Sequence, residues 1–414
     1  MKQFIYLLMP AIVLIFLQGC NKDNDADNSE AQIIEIPLTK TAKQLIKSDN
    51  DFGFTVFKKL TDESGTDENL MISPLSISLA LSMAWNGADG TTKTAMESAL
   101  GKQGLSIDDV NANYMQLTKD LLSADPKIVM TIANSVWYRN DFEVNKSFID
   151  VNKLYYDAQV SGLDFSNPNT KNIINNWVAN KTQNKINAII DQISAETVMY
   201  LINAVYFKGI WKYKFDKSKT SDMPFYLSSG GTKTVKMMAL NTDLSLTQNE
   251  LFTAVELPYG QGNFNMLLFL PRTGKTTDNI IESINQEVWN TTLTTMEVTK
   301  NVNLKLPKFT FETDKSLNNV LSAMGMEVAF KPFEANFGKI NPASDLYISN
   351  VKHKSFVEVN EEGTEAAAVT SVEFELTSMP INDDLNLTFD RPFVFVVYEK
   401  STNTLLFIGE VQKP

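Results

Sequence analysis

The chain carries one histidine, His353, and one cysteine, Cys20, in 414 residues. A hydrolase of the Ser-His-Asp or Cys-His kind would need His353 as its general base. The setting of that histidine, YISNVKHKSFVEV, reads as a strand, and no G-x-S-x-G elbow lies near it. A structural zinc site wants four Cys or His ligands, more than the chain holds. No G-x-x-x-x-G-K-[ST] phosphate loop is present, and GQGNFN (260–265) lacks the third glycine of a dinucleotide loop. Carboxylates are abundant, yet no spacing singles out an acid/base pair. The residues point away from an enzyme, and no catalytic residue, metal or cofactor is expected.

With 43% hydrophobic and 21% charged residues the composition is that of a soluble globular protein, and the length allows a large core. Length alone suggests two domains. A net charge of −12 and a pI near 4.8 argue against an electrostatic nucleic-acid binder, which needs a basic face. Basic residues gather in KYKFDKSK (212–219). That run reads as a solvated loop, or more sharply as a docking patch for an acidic partner.

The first nineteen residues stand apart from the fold. A lysine is followed by IYLLMPAIVLIFLQG, about the length of a signal-peptide apolar region and short for a membrane span. Leu17-Gln18-Gly19-Cys20 resembles the lipobox of bacterial lipoproteins, which implies that Cys20 is lipidated and begins the mature chain. The plain alternative is a secretory leader with a chance cysteine. Residues 20–38 read as a disordered tether, on the strength of NKDNDADNSEAQ (21–32), which is polar, acidic and free of aromatics. The acidic stretch after the cysteine resembles a signal for display on the outer membrane surface; a periplasmic-facing or released form is the alternative. The lipid on Cys20 would be the only membrane attachment. A lone cysteine permits no intramolecular disulfide.

From residue 39 helical and strand-like segments alternate without repeats. ISPLSISLALSMAWNGA (72–88) predicts a buried helix opened by Ser-Pro. TKNIINNWVANKTQNKINAII (170–190) predicts another, with Ile173, Ile174, Trp177, Val178 and Ile186 on one face. Strands are predicted at 199–209, 252–260, 264–271, 302–312, 355–360, 392–400 and 405–412. Strands scattered among helices in no regular βαβ order indicate an α+β fold with a large sheet.

Between two of these strands runs EEGTEAAAVTSVEFELTSMP (361–380). At period 2, one face of 364–376 carries Thr364, Ala366, Ala368, Thr370, Val372, Phe374 and Leu376, none of them charged. The other carries Glu365, Ala367, Val369, Ser371, Glu373 and Glu375. The start of a helix competes with this reading, but Val-Thr-Ser-Val continues a helix poorly. A plain connection of about thirty residues would be far longer than the usual 4–6. The segment is patterned as a strand that has no place in the order of strands around it.

EEGTEAAAVTS resembles the hinge of an inhibitory serpin. NLMISPLSISLALSMAWNGADGTT (69–92), NSVWYRNDFEV (134–144), LINAVYFKGIWKYKF (201–215), LKLPKFTFE (304–312), ANFGKI (335–340) and FDRPFVFVVYEK with LLFIGEV (389–411) are similar to serpin motifs, in the family's order. The resemblance implies one domain over residues 39–414 with three β-sheets, about nine helices and an exposed reactive-centre loop at about 361–391. It implies a suicide-substrate inhibitor, whose loop is cleaved, enters the main sheet as a central strand and traps the acyl-enzyme. The hinge would comprise Glu361, Gly363, Thr364, Glu365, Ala366, Ala367 and Ala368. Ser73, Ser76, Asn203 and His353 match the polar shutter beneath the sheet's opening point, and Trp211 matches the tryptophan where insertion begins.

The family's usual spacing, counted from Glu361, puts the cleaved bond between Thr377 and Ser378, with Leu376 the alternative residue. A small residue there suits elastase-like serine proteases and leucine suits chymotrypsin-like ones. No Lys or Arg lies between Gly363 and Met379, which weighs against trypsin-like targets, and Met379-Pro380 is a poor scissile bond. An inhibitor of cysteine proteases and a non-inhibitory carrier or interaction protein are the competing readings. The expected partner is a serine protease held covalently by a monomer.

Overall fold

Short polar side chains set the helix starts. In the computed structural model, which describes residues 33–343, 345–364 and 385–414, Thr39 caps α1 (Lys40–Asp62), its hydroxyl accepting from the Ala42 amide at 2.9 Å. After β1 (Leu70–Ile72), Ser73 caps α2 (Pro74–Trp85), with Pro74 in the first turn, where its missing N–H is not needed. There follow α3 (Gly90–Ala99), α4 (Ile107–Ser123), β2 (Ile128–Arg139), α5 (Lys146–Tyr156), β3 (Gln159–Leu163), α6 (Thr170–Lys181) and β4 (Met199–Ile210). An antiparallel run comes next: β5 (Ser221–Tyr226), β6 (Thr232–Gln248), β7 (Phe252–Pro258) and β8 (Phe264–Pro271). Then come α7 (Thr277–Ser283), α8 (Gln286–Thr294), β9 (Glu297–Pro307), β10 (Phe309–Ser316) and α9 (Asn318–Leu321). The chain ends through β11 (Lys352–Asn360), β12 (Gly363–Thr364), β13 (Leu385–Thr388), β14 (Phe393–Glu399) and β15 (Thr404–Val411).

The strands form two ladders. One has six strands in the order β10-β11-β12-β4-β2-β3. The other runs β1-β15-β14-β8-β7-β6-β9-β13, with β5 beside β6. The 17-residue β6 serves two sheets at once. Its first part pairs with β5 and β9, its last residues with β7, and the register shifts between Thr242 and Leu244. The three sheets expected from the sequence are present, two of them joined through this strand.

Burial explains the segments that are apolar throughout. Every residue of β8, β14 and β15 is buried, so these strands read as continuous hydrophobic runs. α2 packs against β4 of one sheet and β15 of the other, and a helix covered on both sides has no polar face to show. A smaller apolar cluster lies under α6, where Ile174 and Val178 meet Trp137, Ile202 and Ala204.

Three boundaries differ from expectation. The helix predicted over 170–190 ends at Lys181, because Gln183 and Asn184 turn left-handed (φ 50° and 60°). Asn175 then holds the returning chain, accepting from the Ile189 and Ile190 amides at 3.0 and 2.9 Å. Ile186 therefore reaches the apolar cluster from a non-helical segment, while Ile173 is 42% exposed. The strand predicted over 302–312 is two, β9 and β10, in different ladders and parted at Lys308. Finally β13 pairs in parallel with β9 inside the span assigned to the loop. The stretch between the anchored hinge and β13 is thus 365–384, all of it outside the described residues.

Candidate functional site

β4 and β11 run parallel, and among the described residues they are joined only through the two residues of β12. Gly363 pairs with Asn360 on one side and Ile210 on the other; Thr364 pairs with Val359 and Gly209. At the usual ~4.8 Å strand spacing, β4 and β11 stand about 9.6 Å apart where β12 lies between them. Gly363 is needed here by contact as well as by conformation (φ 152°). A Cβ on it would lie 2.0 Å from the Gly209 carbonyl oxygen and 2.8 Å from Ile210 Cα.

Aromatic and charged groups fix this entry point. The Thr364 hydroxyl shares a 2.6 Å hydrogen bond with the buried Tyr259 hydroxyl. Trp211 stacks on the Tyr259 ring at 4.3 Å, and its indole N–H donates to the Asn360 carbonyl at 2.9 Å. The Trp211 and Phe215 amides donate to the Glu362 and Glu361 carbonyls at 2.8 and 3.1 Å. Lys214 and Lys217 each lie 2.9 Å from the Glu362 carboxylate, and Lys308 lies 2.9 Å from that of Glu361. Both carboxyls are held below their ordinary range. For Glu362 the hydrogen bond from Lys214 is the main cause. For Glu361 burial opposes ionisation, and the bonds from Lys308 and Thr220 outweigh it. The basic run 212–219, expected as a solvated loop or a patch for an outside partner, docks the chain's own hinge.

Six residues further along both strands lies a polar row. Asn203 of β4 pairs in register with Asn134 of β2, its side-chain amide donating to the Asn134 carbonyl oxygen at 2.6 Å. Among the described residues the buried Asn203 Oδ1 has no hydrogen-bond partner. Across the gap, His353 of β11 is buried and accepts at Nε2 from the Ser73 amide at 3.1 Å. Ser73 Oγ in turn accepts from the Ser76 amide at 3.3 Å. The Ser355 hydroxyl donates to the Met71 carbonyl at 2.7 Å, and the Met71 amide donates to Thr313 Oγ1 at 2.9 Å. β1 and the start of α2 are thus pinned to the six-stranded sheet.

His353 is a hydrogen-bond acceptor, so it must be neutral. Burial pushes its pKa down to about 4, against a smaller upward pull from Asp314. Through the Ser73 amide it holds the cap of α2. Among the described residues no group of three or more His, Cys, Asp or Glu is placed to hold a metal ion.

The structure therefore brings Glu361, Gly363, Thr364 and Trp211 together at one end of the gap and Ser73, Ser76, Asn203 and His353 at the other. Cys20, Glu365, Ala366, Ala367, Ala368, Leu376, Thr377 and Ser378 lie outside the described residues. Sequence reasoning missed Tyr259, Lys214, Lys217, Lys308, Thr220, Asn134, Thr313 and Ser355. The opposite charges of KYKFDKSK (212–219) and Glu361-Glu362 are the one signal that could have found the lysine clamp.

Residues 47–414 match the model of the family described as serpin (serine protease inhibitor). The chain is 34% identical to glia-derived nexin of Rattus norvegicus over 375 residues, covering 88% of this chain and 92% of that protein. It is 31% identical to leukocyte elastase inhibitor A of Mus musculus over 385 residues, covering 90% of this chain and all of that protein. Among solved structures, the thermophilic serpin tengpin in its native state superposes with a TM-score of 0.82 at 34% identity, covering 92% of this chain and 96% of the other. The chain belongs to the serpin family and has the serpin fold. The mouse relative is named as an elastase inhibitor.

A depressed histidine pKa makes stability fall with acid. Between the ordinary value of ~6.5 and about 4 the unfolded chain binds a proton that the folded chain refuses, so stability rises with pH through that window. From pH 7 to pH 5 the loss from His353 is about 2 kcal/mol. Denaturation curves of the protein and of His353→Gln at both pH values should differ by that amount in their pH dependence. Equal pH dependence in the two would refute the assignment.

Proposed function

We propose that the protein is a suicide-substrate inhibitor of serine proteases. The observation that supports this best is β12: the hinge already occupies the first two positions of a strand between β4 and β11. Continuing its register sets Ala366 between Val357 and Phe207, and Thr370 between His353 and Asn203. The uncharged face of 364–376 would then turn to the core side, which Val357, Val359 and Phe207 line as buried residues. The glutamate-bearing face would turn to the side of α6, where β11 presents Lys352, Lys354, Phe356 and Glu358 half-buried. Over 364–370, where the register would meet β11, the uncharged positions fall on the side of its buried residues, which an unrelated loop would match only by chance.

In this reading the serine hydroxyl of the protease attacks the Thr377 carbonyl, and the amine of Ser378 leaves with a proton. The acyl-enzyme ester then travels with the loop as the strand zips downward and gains backbone hydrogen bonds on both sides. Thr377 favours an elastase-like target; cleavage after Leu376 would favour a chymotrypsin-like one. Mixing the protein with each protease should give a complex that survives denaturing electrophoresis, and loop cleavage should raise the unfolding temperature. Cleavage without a stable complex and without added stability would leave a carrier or interaction protein instead.

Thr364→Arg should be cleaved without trapping. A guanidinium in place of a residue 7% exposed and bonded to Tyr259 must be buried at the first step. Undiminished trapping by that variant would contradict insertion.

We also propose that the chain is an exported lipoprotein anchored through Cys20 and displayed on the outer membrane. Cys20→Ser should move it from the membrane fraction to the soluble one; an unchanged distribution would rule the anchor out.

A further inference from the structure

Asp125 is a buried carboxylate with no part in the lysine clamp or the polar row. It follows α4 by two residues, is 3% exposed, and engages both oxygens with backbone amides. Oδ1 accepts from Lys127 at 2.9 Å, just ahead of β2. Oδ2 accepts from Gln261 at 2.6 Å, in the turn between β7 and β8. A carboxylate is costly to bury, and bonds to two separate segments offset that cost only while both segments stay in place.

The two segments meet at the hinge. From Lys127 the chain enters β2, whose first residue, Ile128, pairs with Gly209 of β4, and Gly209 pairs with Thr364. The turn carries Tyr259, whose hydroxyl meets that of Thr364. One side chain thus ties the strand row in which the Thr364 backbone sits to the ring that holds the Thr364 side chain. Close approach is built in. A Cβ on Gly260 (φ 52°) would lie 2.5 Å from Asp125 Oδ2, and one on Gly209 would lie 2.8 Å from the Tyr259 ring. Gly262 is left-handed as well (φ 108°), so the turn is built on two glycines with a wide choice of conformation. The Gly260 amide donates to the Ile210 carbonyl at 2.8 Å and the Gly262 amide to the Tyr259 carbonyl at 2.7 Å, which shapes the turn against β4. The bond to Asp125 fastens it to the start of β2.

We propose that Asp125 is a positioning residue for the hinge: it locks the turn 260–262 against the start of β2 and so keeps the Tyr259 hydroxyl on Thr364. The end of α4 thereby takes part in holding β12 between β4 and β11. The consequence for trapping rests on the inhibitory reading above. A hinge kept in β12 starts strand entry in register, whereas a released one must find that register again.

Hydrogen exchange on the full chain tests the hold with no protease present. Asp125→Asn keeps the size of the side chain but has a single acceptor oxygen, so it turns a donor toward one of the two N–H groups. In that variant the amides of Gly363 and Thr364 should exchange about 10-fold faster relative to those of α2, whose exchange reads opening of the whole fold. Tyr259→Phe, which keeps the ring and removes the hydroxyl, should give the same rise. The double variant should be no faster than either single one. Asp164→Asn, which weakens a like cap on the Ser166 amide just past β3, should leave β12 as it is. Exchange at β12 that is unchanged in Asp125→Asn, or that rises only in step with α2, would overturn the proposal. So would rises that add in the double variant. Failure of the unaltered protein to trap protease would remove the inhibitory reading and leave the hold of Asp125 on β12 to be decided by exchange alone.

Discussion

Two parallel strands of the main sheet, β4 and β11, are held one strand's width apart, and the described residues bridge them with two residues only. Backbone N–H and C=O groups along facing strand edges are strong hydrogen-bonding groups, and leaving them unmet inside a fold is costly. Each ladder bond made by an added strand contributes about 1 kcal/mol net. On the proposed insertion, a strand continuing past Thr364 would gain such bonds on both sides, and the groups around β12 would guard or feed that step.

Guarding and feeding are done by different chemistry. At the entry, stacked aromatics and ion pairs hold the hinge: Tyr259 with Thr364, Trp211 with Asn360, and three lysines on Glu361 and Glu362. Farther down, neutral polar groups tie the sheet to the start of α2 through His353 and Ser73. A charged imidazole could not accept that bond, which is why burial and the low pKa of His353 belong to the same arrangement. The contrast suits the geometry: the entry faces solvent and tolerates ions, while the row beneath is buried and admits only groups that exchange hydrogen bonds at little cost.

The parts of this arrangement that depend on local pattern were legible in the sequence. α2, β8 and β14 announce themselves by continuous apolar runs. Of the two-faced segment 364–376, Thr364 is buried as its uncharged face expects, and the rest lies outside the described residues. Tyr259, Lys308 and Asn134 were not legible, because each acts through a partner brought near only by the tertiary fold. Tyr259 and Thr364 are 105 residues apart in the chain. The end of α6 was misread for a local reason: Asn184 tolerates the left-handed turn that ends the helix, and the apolar spacing continues past it because the returning chain packs on the same cluster. The one histidine reads in the sequence as part of a strand, which it is, while its bond to a helix cap was visible only in three dimensions.

The most direct measurement is the structure of the chain after cleavage in its loop. The account predicts a full strand between β4 and β11, with Thr364 still opposite Gly209 and Val359 and with Thr370 between Asn203 and His353. A cleaved chain whose loop stays outside the sheet would contradict it. So would one whose strand is shifted by a residue, since that would turn the glutamates toward the core.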